Sequence, residues 1–310
     1  MLMKPLLRRC LQFIPVFFGI TLLSFGLLYI APSDPVSIRL TEDGTAANPE
    51  VVARMRAEMG LDEPFLVQYG TWLTHFVQGD MGKSYITDIP VAKTFSSALP
   101  YTLRMAGMAM LLTLLVSLPL GISIAALRGS RFDYGIRLLT FVTNAMPNFV
   151  IAIVLMYIFS FKLGLIPVLA TTKPIGMILP SATLAIVMSS RYIRQIRAAA
   201  LDELDKDYIV GLRARGIPER QILFGNVLKN IMVIVITLTG ISVGSLLGGT
   251  VIVETIFNWP GIGHLIMTAI SNRDYPIVQA TVVWMALAFF FVNLLADLSY
   301  RYFNPKIKDL

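Results

Sequence analysis

Charge is scarce in this sequence, and cysteine and histidine are nearly missing. Only 15% of the residues are Asp, Glu, Lys or Arg. None of the Asp or Glu residues falls in the middle of a long apolar run, which leaves a proton- or sodium-coupled carrier little with which to hold its ion. Cys10 is the one cysteine, so a disulfide within the chain is excluded. The two histidines, His75 and His264, lie between apolar runs, so a general base at membrane depth is excluded too. Internal repeats and low-complexity tracts are absent, and the duplicated halves of many secondary transporters are not announced.

What is present is apolar. Hydrophobic residues make up 55% of the chain and the mean hydropathy is +0.70, which describes a polytopic membrane protein rather than one or two soluble domains. About 20 apolar residues cross the hydrocarbon core as a helix. Six runs qualify: residues 11–30, 105–127, 138–161, 175–190, 231–253 and 277–300. The fourth is short and holds Pro180, and Pro147 is expected to bend the third. The first run follows Lys4, Arg8 and Arg9 but is longer than a signal-peptide core and lacks a small-residue cleavage site, so it reads as a retained span. The expected fold is therefore an all-α polytopic membrane protein of six transmembrane helices.

Placement of the positive charge orients it. Alternate segments carry Lys4, Arg8 and Arg9, then Arg128, Arg131 and Arg137, then eight basic residues between Arg191 and Lys229, then Arg301, Lys306 and Lys308. The short loops opposite hold only Lys162, Lys173 and Arg273. The asymmetry puts both termini and segment 191–230 in the cytoplasm. Segment 31–98 then lies outside, and its five basic residues do not count against this, because long loops vote little on topology. Pro49 predicts a helix start and Gly60 its end; a second helix is predicted over 64–78, with Tyr69 and Trp72 at headgroup depth. The expected division is residues 1–98, a first transmembrane helix with an extracytoplasmic segment, and residues 99–305, a five-helix core carrying loop 191–230.

Two motifs imitate enzymes. Residues 79–84, GDMGKS, end like a phosphate-binding loop, but only two residues separate the glycines where four are needed, so they read as a turn. Residues 240–244, GISVG, match a serine-hydrolase elbow by letter, yet Ser242 sits within a span. The wider spacing Gly240, Gly244 and Gly248 reads instead as a flat helix surface for close packing, or as a glycine-lined path. No catalytic residue and no metal site is assigned; His264 with Met267 supplies too few ligands. A third motif, ETIFNWPGIG at 254–263, cannot form a continuous helix across Pro260, Gly261 and Gly263. It reads as a re-entrant or capping loop at the outer mouth, with Phe257 and Trp259 as interfacial anchors. The candidate pore or gate residues are Gly240, Gly244, Gly248, Glu254, Trp259, Gly261 and Gly263.

Residues 197–229 are the longest polar interruption in the second half of the chain. Residues 198–210 are expected to continue the fourth span as a helix, with Tyr208, Ile209 and Leu212 on one face and Arg213 and Arg215 at its rim. Gly216 ends that helix and Pro218 begins another. An apolar patch edged by positive charge fits docking by a partner better than it fits a solvated loop.

Here the residues resemble the permeases of ABC importers. Gly216 and Leu228 match the Gly and Leu of the cytoplasmic-loop motif E-A-A-x3-G-x9-I-x-L-P, whereas Val210, Gly211 and Leu212 replace E-A-A, and Asn226 and Lys229 replace the Ile and Pro. The oligopeptide, dipeptide and nickel permeases share those departures. The chain resembles them through DYIVGLRARGI at 207–217, VETIFNWPGIGHLI at 253–266, NRDYPIVQ at 272–279, LDEPFLVQYGTWL at 61–73, GDMGKS at 79–84 and ILPSATLA at 178–185. The resemblance implies a type I importer permease in the bacterial inner membrane that is not itself an enzyme. It also implies a second homologous permease, two cytoplasmic ATPase subunits that carry ATP and Mg, and an extracytoplasmic binding protein. Asp207, Tyr208, Ile209, Leu212, Arg213, Arg215 and Gly216 would form the helix that couples to the ATPase. The short loop 164–174 and the LVQYGTWL stretch lean towards nickel or a metal chelate as substrate, with di- or oligopeptides as the alternative. An ion-coupled carrier or channel is the rival of another class.

Overall fold

The computed structural model describes residues 3–30, 36, 49–169 and 171–303. The basic residues Lys306 and Lys308 lie outside these. The described residues form helices: α1 (Met3–Ile30), α2 (Pro49–Glu58), α3 (Phe65–Val77), α4 (Val91–Ala126), α5 (Arg131–Ala145), α6 (Asn148–Leu155), α7 (Pro174–Leu204), α8 (Asp207–Ala214), α9 (Glu219–Gln221), α10 (Leu228–Phe257), α11 (Ile262–Ser271) and α12 (Tyr275–Phe303). Stretches of π-helix extend α6 over Met156–Lys162 and join α9 to α10 over Ile222–Val227.

Five of these helical stretches are long and apolar enough to cross a membrane, and a sixth span exists if α5 and the α6 helix count as one. That pair bends by 107°. The expected third span is therefore broken rather than gently bent. Met146, at ψ 133°, is extended because a proline ring disfavours the helical conformation in the residue before it, and Pro147 is extended too, at ψ 145°. The fourth span is stronger than its sequence suggests: α7 runs 31 residues, Pro174 sits in its first turn and Pro180 lies inside it. The second span starts well before residue 105, at Val91.

Contacts divide the chain into two units, Met1–Tyr101 with Pro260–Phe291, and Thr102–Trp259 with Val292–Leu310. In the first, Phe25 of α1 meets Phe65 and Tyr69 of α3 edge-on at 5.6 and 5.7 Å between ring centres. The Tyr69 hydroxyl bonds Thr21 at 2.8 Å, and Phe76 is the buried residue of α3. Leu66 and Val77 point outward. The loop that ends in GKS is a turn, as its spacing demands: Gly79 and Gly82 adopt positive φ, and the buried Asp274 carboxylate accepts bonds from the Ser84 hydroxyl and, at 3.0 Å, from the Tyr85 N–H.

In the second unit α7 is central, packed against α5, α6 and α10. Its buried face includes Ser181, Thr183, Ala185, Ser189, Ser190, Ala199 and Ala200, small residues that let backbones approach closely. Gly121 of α4 also lies close to it: an added Cβ would stand 2.6 Å from a methyl of Ile196. Near the basic end of the spans, Arg197 of α7 makes two bonds of 2.8 Å to Asp133 of α5, whose helix is capped by Ser130.

Candidate coupling site

The polar interruption continues the fourth span only as far as Leu204, short of the expected residue 210. α7 stops at Leu204, Asp205 and Lys206 leave the helical path, and α8 begins anew at Asp207. Asp207 in the first turn and Arg213 in the last both suit the helix dipole. Gly216 ends the segment with φ +74°, a conformation that a side chain disfavours. Pro218 then starts α9.

The faces of α8 differ from the expected ones. Ile209 is fully buried against the chain, so it fixes the helix in place rather than offering itself to a partner. Leu212 is half-buried. Val210, which sequence reasoning noted only as a departure from the loop motif, is 61% exposed and is the main outward apolar side chain of α8. Beside it Arg213 and Arg215 are exposed, and the Arg213 guanidinium makes two bonds, of 2.7 and 3.1 Å, to Glu219. That carboxylate holds the guanidinium proton more tightly than usual. Tyr208 keeps part of its ring exposed, but its hydroxyl turns inward, donating to Glu203 at 2.7 Å and accepting from Asn230 at 3.0 Å. Burial, and then the hydrogen bond to Glu203, push its pKa up. Glu203 and Asn230 were missed from sequence because a lone Glu and a lone Asn carry no motif.

The candidate pore residues occupy different settings. Gly244 is buried and Gly240 half-buried, while Gly248 is exposed, with open space where a side chain would stand. The Glu254 side chain, fully buried, accepts a 2.7 Å bond from the Thr102 hydroxyl. Phe257 and Trp259 are 1% and 2% exposed, so they are core residues and not the interfacial anchors expected. Their turn closes as the sequence requires: Asn258 adopts the left-handed conformation and the Trp259 N–H reaches back to the Glu254 carbonyl at 2.8 Å. Gly261 caps α11 in an extended conformation, and Gly263 is buried in its first turn.

Long apolar helices interrupted by a charged, folded loop define a multi-pass membrane protein. Family models specify it further. Residues 117–309 match the binding-protein-dependent transport system inner membrane component, and residues 2–106 match the N-terminal region of that component. The chain belongs to this family and is an inner-membrane permease of an ABC importer, of the oligopeptide and dipeptide branch. It is 35% identical to a putative peptide transport system permease of Brucella melitensis, over 99% of both chains. It is 34% identical to the glutathione transport system permease protein GsiC of Salmonella choleraesuis, again over 99% of both. Among solved structures the fold resembles the inward-facing MetNI methionine ABC transporter, with a TM-score of 0.59 at 13% identity, covering 67% of this chain and 95% of that one. The named relatives handle peptides and glutathione, and the expectation of nickel or a metal chelate finds no support among them. That expectation rested on the LVQYGTWL stretch and on the length of loop 164–174, and loop length changes at small thermodynamic cost and so says little about a substrate.

Proposed function

We propose that this permease forms half of the path of a peptide importer, pairs with a second homologous permease, and receives work at α8 from cytoplasmic ATPase subunits. ATP and Mg would reside on two such ATPases, and an extracytoplasmic binding protein would deliver the peptide. The carrying observation is α8 itself: a helix separately broken at both ends, pinned from beneath by Ile209, with Val210 and a basic rim facing outward. Kinship with permeases named for peptides and glutathione supports the substrate class. Asp207, Tyr208, Leu212, Arg213, Arg215 and Gly216 shape this surface, with Ile209 behind it. Glu254, Trp259, Gly261 and Gly263, with the glycines of α10, are offered as lining or gating the path.

The test is co-purification and transport. Val210→Asp should insert normally yet lose its ATPase, because a charge is buried without a partner at the contact. Full retention of the ATPase by that variant would overturn the docking surface. Proteoliposomes holding the complete transporter should take up di- or tripeptides with ATP, and uptake of Ni2+ without peptide would overturn the substrate class.

A further inference from the structure

Between α7 and α8 stand only Asp205 and Lys206, and neither continues a helix. Such a link would let α8 swivel unless side chains tie it down. One carboxylate does so. Glu203, in the last turn of α7, is 7% exposed. Its Oε1 accepts from the Tyr208 hydroxyl of α8 at 2.7 Å and from the Asn230 amide of α10 at 2.8 Å. Its Oε2 accepts from Lys206 at 2.6 Å, so both oxygens are occupied. Three helices thus converge on one buried charge, and the Asn230 amide also reaches the Tyr208 hydroxyl, closing a triangle.

The far end of α8 is held differently. Its tie there is Arg213 to Glu219, side chains 46% and 47% exposed, which water can replace at small cost. The start of α8, held by this buried charge and by Ile209, is thus tied more firmly than its end.

We infer that Glu203 and Asn230 are positioning residues for energy coupling, which hold Tyr208 so that movement of α8 passes into α7 and α10 together. Neither residue need touch the ATPase. This inference rests on the reading of α8 as the docking helix.

The experiment compares wild type, Glu203→Gln and Asn230→Ala in the complete transporter, reconstituted with its ATPases and binding protein. ATPase co-purification, ATP hydrolysis and peptide uptake are measured on the same vesicles. Both variants should keep the ATPase and continue to hydrolyse ATP, while peptide taken up per ATP falls roughly tenfold, the scale of one charge-assisted hydrogen bond. Lower yield or thermal stability from a purely structural role would not move that ratio. Asn230→Ala, at a solvent-facing position, serves if Glu203→Gln fails to insert. An unchanged ratio with ATPase bound would overturn the inference and leave docking intact. Loss of the ATPase from either variant would make the triangle part of the contact itself and would also overturn it. Failure of the wild-type chain to hold any ATPase would sink the docking reading, and this inference with it.

Discussion

Single side chains do work here that composition hides. Tyr85 lies in the turn before α4, where burial first, and then the charges of Asp274 and of the ionised Tyr275 hydroxyl, push its pKa from 10.0 to about 12. Below pH 10 the phenol is protonated in folded and unfolded chains alike, and its contribution to stability is complete. As pH rises to about 12 the unfolded chain gives up the proton first, and that contribution is lost. Tyr85→Phe should therefore flatten the fall in melting temperature between pH 10 and 12, measured in detergent by intrinsic fluorescence. Arg197 faces a different penalty. Its partner Asp133 has a side chain only 1% exposed, so Arg197→Ala strands a buried carboxylate, at a cost of about 3–5 kcal/mol. Arg197→Ala with Asp133→Leu should recover much of that loss in the same melting assay. Neither residue was distinguishable in the sequence, where both looked like ordinary loop charge.

Helices were legible where pattern and punctuation agree. Gly60, Gly216 and Pro218 mark element ends in the chain and in the structure, and Gly60 and Gly216 do so through positive φ. Boundaries moved where tertiary packing extends a pattern: α4 begins 14 residues before its apolar run because Val91, Phe95 and Ala98 are buried in the first unit. Packing between helices supplies its own prediction. At Gly121 an added methyl would overlap Ile196, so Gly121→Ala should cost about 1–3 kcal/mol by thermal unfolding, and Gly121→Ala with Ile196→Val should cost less. Gly107, with nothing near its Cβ direction, should accept alanine at no cost. α8 shows the limit of periodicity. Tyr208, Ile209 and Leu212 share a stripe in the sequence, but a stripe does not say whether its own chain or a partner covers it.

For the whole molecule, topology is the decisive prediction. With Cys10→Ser as background, a cysteine at Asp88 should react with an impermeant maleimide on spheroplasts, and one at Arg215 only after permeabilisation. Both positions are exposed in the chain. The reverse pattern would invert the protein in the membrane and remove α8 from the ATP-hydrolysing side.

The sequence by itself determined the class of molecule. Apolar length, lysine and arginine asymmetry and the break at residues 216–218 are local or additive properties, readable without coordinates. The missing midplane carboxylates likewise pointed to work supplied from outside the chain. Tertiary structure alone decided which of these residues face outward. It buried Ile209, Phe257 and Trp259, exposed Val210, folded the third span back at Pro147, and brought Glu203 and Asn230, 27 positions apart, to one hydrogen bond. Such outcomes depend on what distant segments place alongside a residue, and no window along the chain contains that information.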